Sequence, residues 1–152
     1  MTATTTSAAL EPSATVKQAG AAVLLGFMGF IFFSIAIASW ALERVDLPAS
    51  ALADAERLQA FVPFAVISAV AHLAVAVMAV SLNAAVRRVA TAVSATTAGL
   101  FGVGAIAVAA GWNVFQRSAG GPSYGFEGAT ILAAAATVYA GAAALIARSR
   151  PS

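Results

Sequence analysis

A chain of 152 residues that is 61% hydrophobic and 9% charged, with a mean hydropathy of +0.92, has the composition of a protein dissolved in lipid, since soluble domains carry about 25% charged residues. Its formal charge of +2 provides no basic surface for nucleic acid, and the absence of cysteine removes disulfides, thiolate metal sites and cysteine nucleophiles. A single lysine among eight basic residues, in an alanine-rich chain, is the usage of a high-GC bacterial genome.

Residues 1–16, MTATTTSAALEPSATV, are rich in Thr, Ser and Ala and hold few bulky apolar groups. Burial cannot offset the entropy of ordering them, and they read as a disordered cytoplasmic tail. Residues 17–150 read as one transmembrane domain, with apolar stretches near 19–42, 58–82, 90–112 and 127–147. Each approaches the ~20 residues that a helix needs to cross a hydrocarbon core of roughly 30 Å. Backbone polar groups in lipid must pair within their own segment, so each stretch is expected to be a helix. The fold expected is an all-α integral membrane protein, four helices in an antiparallel bundle.

The first span begins after Lys17 and contains AIA at residues 36–38, which resembles a signal-peptide cleavage site. Its apolar run exceeds the roughly 7–15 residues of a signal core, and it reads as an uncleaved anchor. Orientation follows from the basic residues near the span ends. With the N-terminus inside, Lys17, Arg87, Arg88, Arg148 and Arg150 lie on the inner face, and Arg44, Arg57 and Arg117 on the outer. The excess of inner cations predicts that both termini are cytoplasmic, in a bacterial inner membrane. Trp40 and Trp112 then share the outer interface, the depth that indole rings prefer.

Between the second and third spans only NAAVRRVA is available, which predicts a tight hairpin. Pro63 is expected in the first turns of span two, where a missing N–H is tolerated or kinks the helix. The outer loops are longer. One holds Pro48 and Ser50 ahead of a helix-favouring run with Asp54 and Glu56, and the other, NVFQRSAGGPSYGFEG, is rich in glycine. The spacing of Asp46, Asp54 and Glu56 fits no cation-binding loop, and a solvated acidic face accounts for them.

The only histidine, His72, stands mid-span in SAVAHLAVAV, where an ionisable side chain marks a candidate functional site. Helical spacing places Ala65, Ser68, Ala76, Ala79 and Asn83 near its face. Ser34, Thr137 and Tyr139 occupy similar depths in their spans, and with His72 and Ser68 they form a candidate cofactor-binding group. Small residues repeat at four-residue spacing in span three (Ser94, Ala98, Gly102, with Gly99 alongside) and in span four (Ala129, Ala133, Thr137, Gly141). That spacing lets helices approach closely, and Ala98, Gly99, Gly102, Ala133 and Gly141 are the expected packing positions. Phe27, Phe30, Phe32 and Phe33 of GFMGFIFF cover more than one side of span one, as lipid- or partner-facing residues would.

Three functions compete. The leading one is a non-catalytic accessory or assembly subunit of a larger membrane complex, or a homo-oligomer, in which His72 makes a structural hydrogen bond and no cofactor is held. The second is a redox subunit binding haem b or a quinone at His72. Bis-histidine ligation would need an imidazole from elsewhere, whereas a quinone would use His72 and Tyr139 as hydrogen-bond partners. The third, a small proton-coupled transporter, lacks the carboxylate such carriers place within a span. A hydrolytic enzyme is disfavoured, because no carboxylate is placed to orient His72 as a base. No motif in the sequence ties it to a family.

Overall fold

A computed structural model of the protein describes residues 12–42, 45, 49–110 and 125–149. All regular structure among them is helical: α1 (Pro12–Leu42), α2 (Ala49–Ala79), α3 (Ala84–Ala109) and α4 (Gly125–Ala147). Each of the four is long and apolar enough to cross a membrane. Residues 1–11, Glu43, Arg44, Asp46, Trp112, Arg117 and Arg150 lie outside the described residues, as do the side chains of Asp54, Glu56 and Arg57.

Three helices begin earlier than composition predicts, α3 at Ala84 rather than near 90 among them. Helix α1 starts at Pro12, inside the expected tail, because proline suits a first helical position, where its missing N–H would have no partner anyway. Helix α2 starts at Ala49 rather than near 58, since Ala, Leu, Glu, Arg and Gln after Pro48 are good helix formers and join the apolar run without a break. Pro63 therefore sits in the interior of a 31-residue helix and not in its first turns. There it removes the hydrogen bond that the Gln59 carbonyl would accept.

The hairpin between α2 and α3 is short, and polar groups close it. The Asn83 side chain caps α3 by accepting the Ala85 N–H at 2.8 Å, and the Ser81 hydroxyl accepts the Asn83 N–H at 3.2 Å. Arg87 lies in the first turn of α3 rather than in the loop. Its Nη1 donates to the carbonyls of Ser81 at 2.7 Å and Leu82 at 2.9 Å, groups that the end of α2 leaves free.

Each helix buries one stripe whose steps alternate between three and four residues. On α1 it runs through Gln18, Ala21, Leu25 and Met28, on α2 through Ala65, Ala69, half-buried His72, Ala76 and Ala79, on α3 through Arg87, Ala90, Ser94, half-buried Ala98 and Phe101, and Ala105, and on α4 through Ala135, Tyr139, Ala142 and Ile146. Alternating steps average about 3.5 residues and stay on one face of a 3.6-residue helix. Helix α1 packs most closely on α2, and α3 on α4; α1 also meets α4, and the α2–α3 seam is the thinnest of the four. The remaining surface is dominated by Val, Leu, Ile and Phe, the exterior expected of a chain whose solvent is hydrocarbon.

Candidate functional site

His72 is at the centre of a row of rings to which every helix contributes one. Phe32 of α1 stacks on the imidazole with centroids 5.2 Å apart and planes at 29°. The imidazole meets Tyr139 of α4 at 5.5 Å, and Phe101 of α3 stacks on the far side of Tyr139 at 5.5 Å and 10°. The order Phe32, His72, Tyr139, Phe101 thus crosses the whole bundle.

Gly29 is what lets α1 come close enough. A methyl group there would lie 3.1 Å from His72 Cβ and 3.3 Å from the Ala69 carbonyl oxygen. Both are tighter than ordinary carbon contacts, which have their optimum at about 3.5–4.0 Å. Phe32, one helical turn further on, shares this face and is delivered onto the imidazole.

Hydrogen bonding orients the imidazole. Nδ1 lies 2.5 Å from the Ser68 carbonyl oxygen, and Nε2 is hydrogen-bonded to the Tyr139 hydroxyl. A carbonyl can only accept, so Nδ1 carries the proton; in the neutral ring Nε2 then accepts the Tyr139 O–H. Ser68 serves through its backbone, not its hydroxyl. Such an inter-helix bond in lipid is worth about 1 kcal/mol.

A cavity of about 100 Å³ adjoins these groups in the thin α2–α3 seam, lined by Leu25, His72, Val75, Ser94, Thr97 and Tyr139. Ser94 is 1% exposed, and its hydroxyl makes no hydrogen bond. The volume equals that of about three waters at roughly 30 Å³ each and falls below the ~300 Å³ at which cofactor pockets begin. Haem ligation would require Nε2, the nitrogen engaged with Tyr139, and several times this space. Among the described residues no group of three or more His, Cys, Asp or Glu stands together to hold a metal ion.

Of the other residues that sequence reasoning placed at this depth, Ser34 and Thr137 do not join. Both are exposed, and Thr137 donates back to the Ala133 carbonyl at 2.9 Å. The reason is angular. Each lies two positions from the ring its helix contributes, Phe32 or Tyr139, and two residues turn a helix by about 200°. Depth matched while face did not.

The packing positions divide in the same way. Ala98 packs against the core, and Gly141 faces α1, a methyl there lying 3.8 Å from Leu24 Cδ1. Gly99 and Gly102 have nothing within 4 Å of where a side chain would begin, and Ala133 is exposed. A repeat of strictly four residues advances about 40° per step on a 3.6-residue helix and drifts off the buried face. The close approach occurs instead at Gly29, while a methyl at Gly20 or Gly104 would make an ordinary contact, 3.5 Å from Leu145 Cδ1 or Leu132 Cδ1.

Sequence reasoning missed Phe32 and Phe101 as members of the site, since in a hydrophobic helix an inward phenylalanine resembles an outward one. Phe27, Phe30 and Phe33 are exposed, as expected for lipid contact. The class of molecule that fold and site define is a small helical chain with four candidate membrane spans and a satisfied histidine within it. No family model, no curated protein and no solved structure matches it.

Proposed function

We propose that the chain is an antiparallel four-span bundle of the bacterial inner membrane, with both termini cytoplasmic, serving as a non-catalytic accessory or assembly subunit of a larger membrane complex. The observation that carries this reading is the engagement of both imidazole nitrogens, by the Ser68 carbonyl and the Tyr139 hydroxyl. A histidine so satisfied ties helices together and has no lone pair left for a metal or a substrate proton.

Charge and contact support the arrangement. Gly20 approaches Leu145 while Leu24, further along α1, approaches Gly141, earlier in α4, so these two helices run in opposite directions. The hairpin end carries Lys17, Arg87, Arg88 and Arg148, whereas Glu127 begins α4 at the other end. That polarity favours the hairpin end inside. A cysteine at Ala85 (Ala85→Cys) or Ser152 (Ser152→Cys) should be shielded from an impermeant thiol reagent in intact cells, and one at Ser118 (Ser118→Cys) labelled.

The functional test is an absorption spectrum of the full chain purified in detergent, with identification of any chains that co-purify. The expected protein is colourless, and His72→Gln retains the same co-purifying chains, because glutamine can both donate and accept. A Soret band that disappears in His72→Gln would overturn the reading in favour of a haem subunit. A second reading, a quinone held beside His72, draws on the unpaired Ser94 hydroxyl in the adjoining cavity. Recovery of bound quinone from the parent but not from Ser94→Ala would establish it.

A further inference from the structure

The larger cavity lies at the hairpin end, between the start of α3 and the end of α4. It measures about 410 Å³, and its walls include Arg87, Arg88, Thr91, Ala95 and Ile146. Arg87 is only 6% exposed. Its Nη1 donates to the Ser81 and Leu82 carbonyls, and the residue also lines the cavity. A buried cation is stable only when its charge and its donors are matched. The one carboxylate among the described side chains, Glu127, begins α4, some 30 Å away along that helix at about 1.5 Å per residue.

Two further features make this cation, which faces no carboxylate among the described residues, part of an anion site. Arg88, exposed on the same wall, adds a second guanidinium. Helix α3 begins at Ala84, which also lines the cavity, so the positive end of its dipole lies there, although Asn83 already accepts the Ala85 and Arg87 N–H groups. The rest of the lining, Ala92 and Ala95 of α3 with Ile146 and Ala147 of α4, is apolar.

We propose that this cavity binds a phosphate group, held by the guanidinium groups of Arg87 and Arg88 at the start of α3. Planar guanidinium donors match phosphate oxygens in pairs. The source that the apolar lining fits is the headgroup of an anionic phospholipid, whose acyl chain would run along Ala92, Ala95 and Ala147 while its phosphate meets the arginines. The lipid source rests on the chain spanning a membrane as proposed above; the phosphate chemistry does not.

The test uses the full chain in a maltoside detergent, read by its thermal midpoint. Short-chain phosphatidylglycerol, short-chain phosphatidylcholine and inorganic phosphate are titrated separately. Phosphatidylglycerol is expected to raise the midpoint saturably and phosphatidylcholine to leave it unchanged. Arg88→Gln, at an exposed position that the fold does not need, should weaken the phosphatidylglycerol response about tenfold in half-saturating concentration, the scale of one lost charge-assisted contact. Inorganic phosphate matching phosphatidylglycerol would support the phosphate site and assign it a soluble source. No response to either anion, an equal response to phosphatidylcholine, or an unaltered response in Arg88→Gln would each overturn the proposal. Thiol labelling and the absorption spectrum report on spanning and on His72 without reference to this cavity, so the two failures are distinguishable.

Discussion

Helices α1 and α3 both carry glycines within a small-residue pattern, yet the two sets do opposite things. Gly29 on α1 is buried against the backbone of α2, with no room for a methyl beside His72 Cβ and the Ala69 carbonyl. Gly99 and Gly102 on α3 look out on open space. Glycine therefore contributes packing only where a neighbouring backbone occupies the volume it vacates. In a chain this rich in small residues, spacing alone does not identify that place.

The comparison is tested most severely by Gly29→Leu. A large side chain there meets a carbonyl oxygen that cannot rotate away, and overpacking of this kind costs about 1–3 kcal/mol or more. The variant should show a thermal midpoint in detergent well below that of the parent. Gly102→Leu, with the same change of residue, should match the parent. If the two variants unfold together, the contrast between the helices is wrong.

Tyr139→Phe probes what the approach at Gly29 accomplishes. The ring row is retained, but Nε2 of His72 loses its hydrogen bond in an apolar setting, for a loss of about 1 kcal/mol. Combining it with His72→Leu should cost no more than His72→Leu alone, because the bond can be lost only once. Additive losses in that cycle would show that the two residues act separately.

Ser94→Ala carries a smaller effect of opposite sign. The hydroxyl is buried without a partner, so its removal should stabilise the protein slightly, by up to about 1 kcal/mol. A loss of stability instead would mean that a bound molecule in the adjoining cavity uses that hydroxyl. The smallest effect belongs to Gly99→Ala, expected to be neutral or to raise the midpoint slightly, because alanine restricts the unfolded backbone and meets nothing in the folded one.

The number of helices is legible in the sequence because hydrophobic length is a one-dimensional quantity, and a span must be long enough whatever it packs against. Depth along the spans makes Tyr139 legible as one of several candidate partners for His72, together with Ser34 and a backbone carbonyl, without choosing among them. The angular part is not. Ser34 and Thr137 match His72 in depth but face away, and Phe32 and Phe101 face inward with no polar atom to mark them. In soluble helices the polar residues reveal the outer face; here both faces are apolar, and the signal that remains is the alternation of three- and four-residue steps. The run Gln18, Ala21, Leu25, Met28 carries that alternation in the residue order itself. Arg87 shows in the sequence only as a topological charge, and its role in closing the hairpin depends on backbone carbonyls that no side-chain pattern records.

The bond between His72 and Tyr139 joins residues 67 positions apart, and this separation imposes an order on biosynthesis. At about 5–20 residues per second, roughly 3–13 s elapse between synthesis of the histidine and synthesis of its partner. During that interval α2 has an imidazole nitrogen with no acceptor role to fill, and the contact at Gly29 is what can hold the newborn α1–α2 pair together. The last helix to emerge then closes the row of rings. A chain cut short before residue 139 would keep the bond from His72 Nδ1 to the Ser68 carbonyl within α2 but lack the partner of Nε2.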